Sequence, residues 1–352
     1  MRSRILKKNL AVALFFLAAI GLGLYLILRH PGQPVEIKNR GSSSVALSSE
    51  EKAGDFSLPK SPISGLGCAD ALRRPIAVML SSDAPARPLS GLAQADLVIE
   101  MPVVINSITR PMAVYVCGNP TTLGSVRSAR DDYISLAQGL DAIYIHWGGS
   151  HFALDQLNAG VMNNIDALKN PFDAFYRKSG VVAPFNGFSS ISRLFNAVQK
   201  LGYRLENKFS GYPHLTQDVS QTKQTKTLEV AYGGEFDVKY NYDPVSNSYL
   251  RWRGGKKEID KNTGEQIAAK NVVVMRTDIK QLEGQYNDVR VTGEGKAAVY
   301  RAGEEISATW KKDAKDPTSK LYFYDARGEE IKFVPGQIWI EIVETNQDVI
   351  WQ

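Results

Sequence analysis

Cysteine and histidine are scarce in this sequence, and their positions exclude the usual structural metal sites. The 352 residues include two cysteines and four histidines, widely scattered along the chain. His146 and His151 lie five positions apart, so one helix face would not present both of them as it does in a zinc-binding pair. A P-loop, a calcium loop and a nucleophile elbow are also missing. The sequence therefore predicts no metal site and no cofactor.

The two cysteines, Cys68 and Cys117, leave two interpretations open. In an oxidising compartment an even number of cysteines favours a disulfide. A bridge between them would stabilise the fold by about 3–5 kcal/mol in the loop-entropy model. The alternative is a pair of buried free thiols.

Acidic residues are missing from the first thirty positions, which carry five basic residues. These five account for the whole formal net charge of +5, so the remainder of the chain is neutral. Nucleic-acid binding usually requires a net basic domain or patch. The sequence therefore predicts no nucleic-acid partner.

Leu10 to Leu28 form an uninterrupted run of apolar residues and glycine. A helix needs about 20 such residues to cross a bilayer, and the apolar core of a cleaved signal peptide spans only about 7–15. Basic residues precede the run, which predicts a cytoplasmic N-terminus by the positive-inside rule. We interpret the run as a single-pass signal anchor in the cell membrane, with the domains extracytoplasmic. A cleaved signal sequence is the alternative.

The remainder of the chain changes character twice. After the anchor comes a stretch rich in serine, glycine and charge, typical of a flexible tether. Short β-branched runs then alternate with helix-like stretches, and beyond residue 222 strand-like segments recur about every ten residues, separated by turn signals. The predicted segments are a basic stub at 1–9, the anchor at 10–28, the tether at 29–59, an α/β domain at 60–220 and a β-rich domain at 221–347.

The predicted fold is thus an α/β sandwich N-terminal domain followed by a mainly antiparallel β C-terminal domain, with one N-terminal transmembrane helix. Three helices are expected, over about 131–140, over 151–158 with Ser150 as cap, and after Ser189. Trp252, Trp310 and Trp339 are expected to fill the core of the second domain.

The segment GSVRSARDDY at 124–133 is the strongest candidate for chemistry. It places Arg127 and Arg130 three residues apart, flanked by Ser125 and Ser128, just before a predicted helix. A helix N-terminus offers free backbone N–H groups, and arginine adds fork-like donors, so phosphate or carboxylate would fit here. The alternative is that both arginines are solvated or paired with Asp131, Asp132 or another acid.

Neighbouring segments add candidates to the same region. Arg87 and Arg110 lie at predicted loop or strand edges. The IHWGGSH turn at 145–151 follows a predicted strand, and ligands tend to bind at such carboxyl ends in α/β folds. His146 there is interpreted either as an acid–base group or as a core residue with satisfied hydrogen bonds.

Several blocks, among them ARPLSGLAQADLVIE, SVRSARDDY, DAIYIHWGGS and FVPGQIWIEI, resemble the YerB-like bacterial envelope proteins over about residues 60–345. The resemblance implies two domains on a membrane or lipid anchor, with no established biochemical activity. The chain departs from that family in lacking a lipidated cysteine. It also has Ser125 in place of a proline, and Phe185, beside Asn186, where many members have histidine.

The first hypothesis is a non-catalytic envelope protein that binds an anionic, cell-wall-related ligand. The second is a Mg²⁺-dependent phosphotransferase similar to the LytR-type glycopolymer transferases, with Asp131, Asp132 or Glu100 as the acid. The third is a protein–protein scaffold of an envelope complex. The candidate ligand-binding residues are Arg87, Glu100, Arg110, Ser125, Arg127, Ser128, Arg130, His146, Ser150, Arg177 and Asn186.

Overall fold

The structure is a computed structural model that describes residues 58–104, 108–216 and 222–352. The predicted anchor at 10–28, and nearly all of the predicted tether, lie outside the described residues. Within those ranges no helix is both long and apolar enough to cross a membrane.

The described residues form a β-rich unit with three α-helices. The helices are α1 (Asp132–Gly139), α2 (His151–Asn158) and α3 (Ile191–Lys200). The strands are β1 (Ile76–Met79), β2 (Leu97–Pro102), β3 (Thr109–Tyr115), β4 (Leu123–Gly124), β5 (Ile143–His146), β6 (Asn164–Asp166), β7 (Tyr176–Arg177), β8 (Gly187–Ser189), β9 (Lys226–Val230), β10 (Val238–Asp243), β11 (Ser248–Arg253), β12 (Lys256–Lys257), β13 (Ala268–Ala269), β14 (Asn271–Thr277), β15 (Ile279–Gln281), β16 (Asn287–Val289), β17 (Gly293–Arg301), β18 (Glu304–Lys312), β19 (Tyr322–Tyr324), β20 (Ile338–Glu344) and β21 (Val349–Trp351).

Side-chain caps fix where two of the helices begin. The hydroxyl of Ser150 accepts a hydrogen bond from the amide of Ala153 and starts α2. Ser190 does the same for α3 by accepting from Arg193. The expected cap at Ser189 was wrong by one residue, because the Ser189 hydroxyl donates instead to the carbonyl of Ala174.

A ten-stranded sheet runs through both halves of the sequence. Its order is β19-β18-β17-β14-β20-β2-β3-β1-β5-β6. Strand β20 pairs in parallel with β14 on one side and with β2 on the other. Ile340 therefore lies between Val273 and Ile99, so strands from before and after the predicted boundary at 220–221 share one sheet. The boundary itself, between residues 220 and 221, lies outside the described ranges.

A second sheet, β12-β11-β10-β9-β21 with β13 beside β11, covers part of the first. Side chains on β10 alternate between buried and half-buried, as expected for a strand with one face against a core. A buried apolar cluster joins Tyr240 of this sheet to Val98 and Trp339 of the large sheet. On its opposite face the large sheet packs against α1 and α2 in a separate cluster.

The three tryptophans do not all lie in the core. Trp310 and Trp339 are fully buried, as expected. Trp252 is half-buried, because it alternates on β11 with the buried Arg251 and Arg253 and so points to the other side of the sheet.

The structure joins Cys68 to Cys117 in a disulfide, with the Cα atoms 5.8 Å apart. The bridge ties the first described segment to the chain just after β3. The carboxylate of Asp96 holds the same segment by accepting hydrogen bonds from the hydroxyls of Ser61 and Ser64.

Candidate anion-binding site

The candidate site lies at the edge of the large sheet where β1 and β5 end and β3 begins. Strands β1 and β5 are parallel, so their carboxyl ends meet at this edge. The segment 125–130 crosses it. The amide of Arg127 donates to the carbonyl of Met79, and the amide of Trp147 donates to the carbonyl of Arg127, at 2.9 Å each. Backbone hydrogen bonds thus hold the SVRSAR segment between the two strand ends.

Three arginines converge at this edge, and we call Arg110, Arg127 and Arg130 the open cluster. Arg110, on β3, is 4% exposed, and its Nη1 donates to the carbonyl of Ser128 at 3.1 Å. The Nη1 atom of Arg130 donates to the carbonyl of Ala129 at 2.8 Å. Among the residues that the structure describes, none of the three arginines forms an ion pair with a carboxylate. Their hydrogen-bond partners are neutral carbonyls, so no carboxylate bonds directly to these guanidinium groups.

Burial and mutual repulsion act on these guanidinium groups. Burial, followed by the charges of Arg130 and Arg127, lowers the pKa of Arg110 to about 9. Burial also lowers the pKa of Arg130. The Nε atoms of all three arginines are buried and have no hydrogen-bond partner among the described residues. A bound anion would offset the repulsion between these guanidinium groups and the cost of burying their charge.

Aromatic rings, and not carboxylates, contact Arg127, Arg130 and the nearby Arg177. A guanidinium stacked on a ring keeps its in-plane N–H donors available, because stacking uses only the face of the group. The guanidinium carbon lies over the ring, 5.1 Å from its centroid for Arg127 and Phe185, 5.3 Å for Arg130 and Tyr286 and 4.5 Å for Arg177 and Trp147. Phe185 therefore helps to position the Arg127 cation.

The acids that follow the motif form no ion pair with its arginines, although the charge of Arg130 opposes the rise of both pKa values. Burial, and then the neighbouring charge of Asp131, raises the pKa of Asp132 to about 8. Burial also raises the pKa of Asp131. A carboxylate paired with Arg130 would have a lowered pKa instead. Asp132 accepts a hydrogen bond from the amide of Val289 at 3.1 Å, so it connects α1 to the β16 strand.

The three serines of the predicted site have different surroundings. The hydroxyl of Ser125 is buried and has no partner among the described residues. Ser128 contributes its carbonyl to Arg110. Ser150 caps α2 and also donates to Asp131 at 3.4 Å. Of the three, only Ser125 has a buried hydroxyl without a partner among the described residues.

Arg177 and Asn186 lie beside the open cluster. The Nη1 atom of Arg177 donates to Oδ1 of Asn186 at 2.7 Å. Asn186 follows Phe185, whose ring contacts the guanidinium of Arg127. The structure thus brings these two predicted residues together next to Arg127.

Arg87 and His146 do not join the open cluster. His146 is fully buried, and its ring nitrogens contact the carbonyl of Gly148 at 2.9 Å and Oδ1 of Asn164 at 3.2 Å. These contacts correspond to the core interpretation. Arg87 donates from Nε to the carbonyl of Ser82 at 2.7 Å and lies 3.8 Å from Glu235.

Glu100 belongs to a second group of charges, which we call the closed cluster. It consists of Arg251, Arg253, Glu100, Glu258 and Glu341. The carboxylate of Glu100 accepts from Arg251 and from Arg253 at 2.6 Å each. Arg251 also bonds to Glu258 at 2.7 Å and to Glu341 at 2.8 Å. Glu100 is therefore occupied between the two sheets and does not face the open cluster.

Charge compensation is built into the closed cluster. Burial alone would raise the pKa of Glu100, but Arg253 and Arg251 outweigh it and hold that pKa well below its usual range. Burial, together with the charge of Glu100, raises the pKa of Glu341 to about 7 although Arg251 opposes the shift. This group was not predicted from the sequence. Its only signal was the pair Arg251 and Arg253, two positions apart and so on one face of a strand.

The transferase alternative stays a prediction. Asp131 and Asp132 lie next to Arg130 in sequence, whereas Glu100 is committed to the closed cluster. In the parts of the chain that the structure covers, no group of three or more histidine, cysteine, aspartate or glutamate side chains is placed to hold a metal ion.

Comparison with known proteins gives concordant matches over most of the chain. The model of the DUF3048 N-terminal domain, from a protein of unknown function, matches residues 63–204, and that of the DUF3048 C-terminal domain matches 228–340. The protein named "Putative lipoprotein YerB" from Bacillus subtilis (strain 168) is 31% identical over 297 residues, which cover 81% of this chain and 86% of that protein. A crystal structure of the YerB protein from Bacillus subtilis is similar with a TM-score of 0.75 and 29% identity, covering 84% of this chain and 99% of that one.

Proposed function

This chain belongs to the DUF3048 family, and from that premise we propose that it is a membrane-anchored envelope protein that binds an anionic ligand through the open cluster. The predicted resemblance to YerB-like proteins is confirmed. The family is one of unknown function, so the proposal rests on the geometry of the site. The ligand we propose carries phosphate or carboxylate groups and is related to the cell wall.

Three features support the location. The apolar run from Leu10 to Leu28 is long enough for a membrane span. The Cys68–Cys117 disulfide fits an oxidising, extracytoplasmic compartment. The relative named as a lipoprotein would be attached to a membrane by other means. Removal of residues 10–28 should release the protein from the membrane fraction, and continued membrane association would contradict the anchor.

A single observation carries the ligand proposal. Arg110, Arg127 and Arg130 stand together without a carboxylate partner among the described residues, and burial and mutual repulsion lower the pKa of Arg110 to about 9. A fold normally pairs or solvates such charges, because an unpaired charge away from water is costly. An anion held between the guanidinium forks would supply the missing charge and the missing acceptors.

Calorimetric titration of the purified full chain with inorganic phosphate and with short teichoic-acid fragments tests the proposal. The double variant Arg127→Ala/Arg130→Ala should weaken binding at least tenfold, since two charge-assisted contacts are each worth about 1.5–3 kcal/mol. Arg193→Ala is the matched control, because this exposed arginine on α3 donates only to the carbonyl of Asp173 and should leave affinity unchanged.

Binding that is equal in the wild type and the double variant would contradict the proposal. Attention would then pass to the scaffold hypothesis and to protein partners. A thermal shift with phosphate gives a second readout, because a ligand that binds only the folded state raises the melting temperature.

A further inference from the structure

We infer that the ligand of this site is a linear polyanion, a chain of phosphate or phosphodiester groups, and that Arg177 holds a second charge of that chain. The inference rests on the proposed function. It adds a subsite and specifies the ligand as one with at least two negative groups in line.

Arg177 is tied to the same two segments that position Arg127. The amide of Trp147 donates to the carbonyl of Arg127, and the indole ring of Trp147 stacks on Arg177 at 4.5 Å. The guanidinium of Arg127 lies over the ring of Phe185, and the next residue, Asn186, accepts a hydrogen bond from Arg177. Each arginine therefore has its own ring and a position fixed relative to the other.

The backbone segments that carry Arg127 and Arg177 lie two strand spacings apart. The amide of Val126, next to Arg127, donates to the carbonyl of Gly187 on β8, and Gly187 pairs with Arg177 on β7. Neighbouring strands lie about 4.8 Å apart, so the Arg127 and Arg177 segments are separated by about 10 Å. With each side chain held on its own ring, two charges on a ligand match the site better than one.

The local charge favours a polyanion. Arg177 adds a fourth arginine to the three of the open cluster, although the chain beyond the anchor is neutral. In the described parts of the chain Arg177 forms no ion pair with a carboxylate, and it is exposed. Its donors other than Nη1–H to Asn186 remain available to a ligand.

The adjacent Lys178 offers a matched control. Side chains of successive strand residues point to opposite faces, and Lys178 stacks on Phe188 at 4.8 Å on the face away from Trp147. Arg177→Ala and Lys178→Ala therefore remove the same charge one residue apart, from opposite sides of β7.

The experiment compares inorganic phosphate with short-chain polyphosphate of about ten units, titrated into the full chain at fixed ionic strength. The wild type should bind polyphosphate at least tenfold more tightly than phosphate. Arg177→Ala should remove most of that advantage and leave phosphate affinity unchanged. Lys178→Ala should change either affinity less than twofold.

The outcomes separate this inference from the proposed function. If phosphate binds and polyphosphate binds no better, or if Arg177→Ala and Lys178→Ala behave alike, the second subsite does not exist while the open cluster stands. If the wild type binds neither anion, the proposed function itself fails. A salt dependence that becomes shallower in Arg177→Ala but not in Lys178→Ala would support the subsite, because each neutralised phosphate releases counterions.

Discussion

The protein contains two arginine clusters near the same edge of its large sheet, and they satisfy their charges in opposite ways. In the closed cluster Arg251 and Arg253 bond to carboxylates at 2.6–3.1 Å between the two sheets. In the open cluster Arg110, Arg127 and Arg130 bond to backbone carbonyls. Only the closed cluster contains carboxylates that bond to its arginines.

The difference shows up in the pKa directions. The pKa of Arg251 is raised because nearby tyrosine and glutamate groups outweigh its burial. The pKa of Arg110 is lowered because burial is reinforced by other arginines. A cluster that compensates itself contributes to the fold, whereas one left uncompensated is available for a ligand.

The largest effect is expected from breaking the closed cluster. Arg251→Met should lower the free energy of unfolding by about 3–5 kcal/mol, because it leaves Glu100, Glu258 and Glu341 buried with one cation. The loss should be greater at high pH, where those carboxyls must be ionised. Urea denaturation at pH 6 and pH 8 measures both effects.

Arg290→Met is the control for that prediction. Arg290 pairs with Asp278 at 3.0 Å, with 42% and 59% of the side chains exposed, so its loss should cost less than about 1 kcal/mol. Equal destabilisation by the two variants would mean that the closed cluster contributes no more than a surface pair.

Local patterns in the sequence predicted the parts of the fold that depend on neighbours in the chain. The start of α2 at His151 follows from Ser150, and the strand runs around β1 and β5 follow from their apolar residues. The pairing of β20 between β2 and β14 was not predictable, because no local pattern specifies a partner more than 200 residues away.

The candidate site was likewise predicted only where its residues are close together in the sequence. Arg127 and Arg130 were found because one short segment carries both. Glu100 was predicted to join them, yet its partner Arg251 lies 151 positions away. The stacking of Arg130 on Tyr286 was likewise invisible before the chain was folded.

A smaller effect is expected from adding a carboxylate to the open cluster, which would make it resemble the closed cluster. Ser128 is half-buried, and its carbonyl accepts from Arg110, so an aspartate there would bring a carboxylate close to the cluster. Ser128→Asp should raise the free energy of unfolding by about 1 kcal/mol and weaken phosphate binding about tenfold. Ser128→Asn, which adds similar bulk without charge, should do neither. If both variants weaken binding equally, bulk and not charge controls the site.

The last prediction concerns Asp132, and it tests whether this carboxyl is a counterion of the open cluster. Burial and Asp131 raise the pKa of Asp132 from its ordinary 3.8 to about 8, so the folded state favours the protonated carboxyl. The stability that this proton provides is fully present below pH 3.8 and is lost as the pH rises to 8. Asp132→Asn stays neutral at every pH, so we expect its stabilising effect to be nothing near pH 4 and to grow steadily as the pH rises to 8. Asp155→Asn on the exposed side of α2 should have no effect at either pH. A loss of stability in Asp132→Asn at pH 8 would instead make Asp132 the counterion of Arg130, and the contrast between the two clusters would then no longer hold.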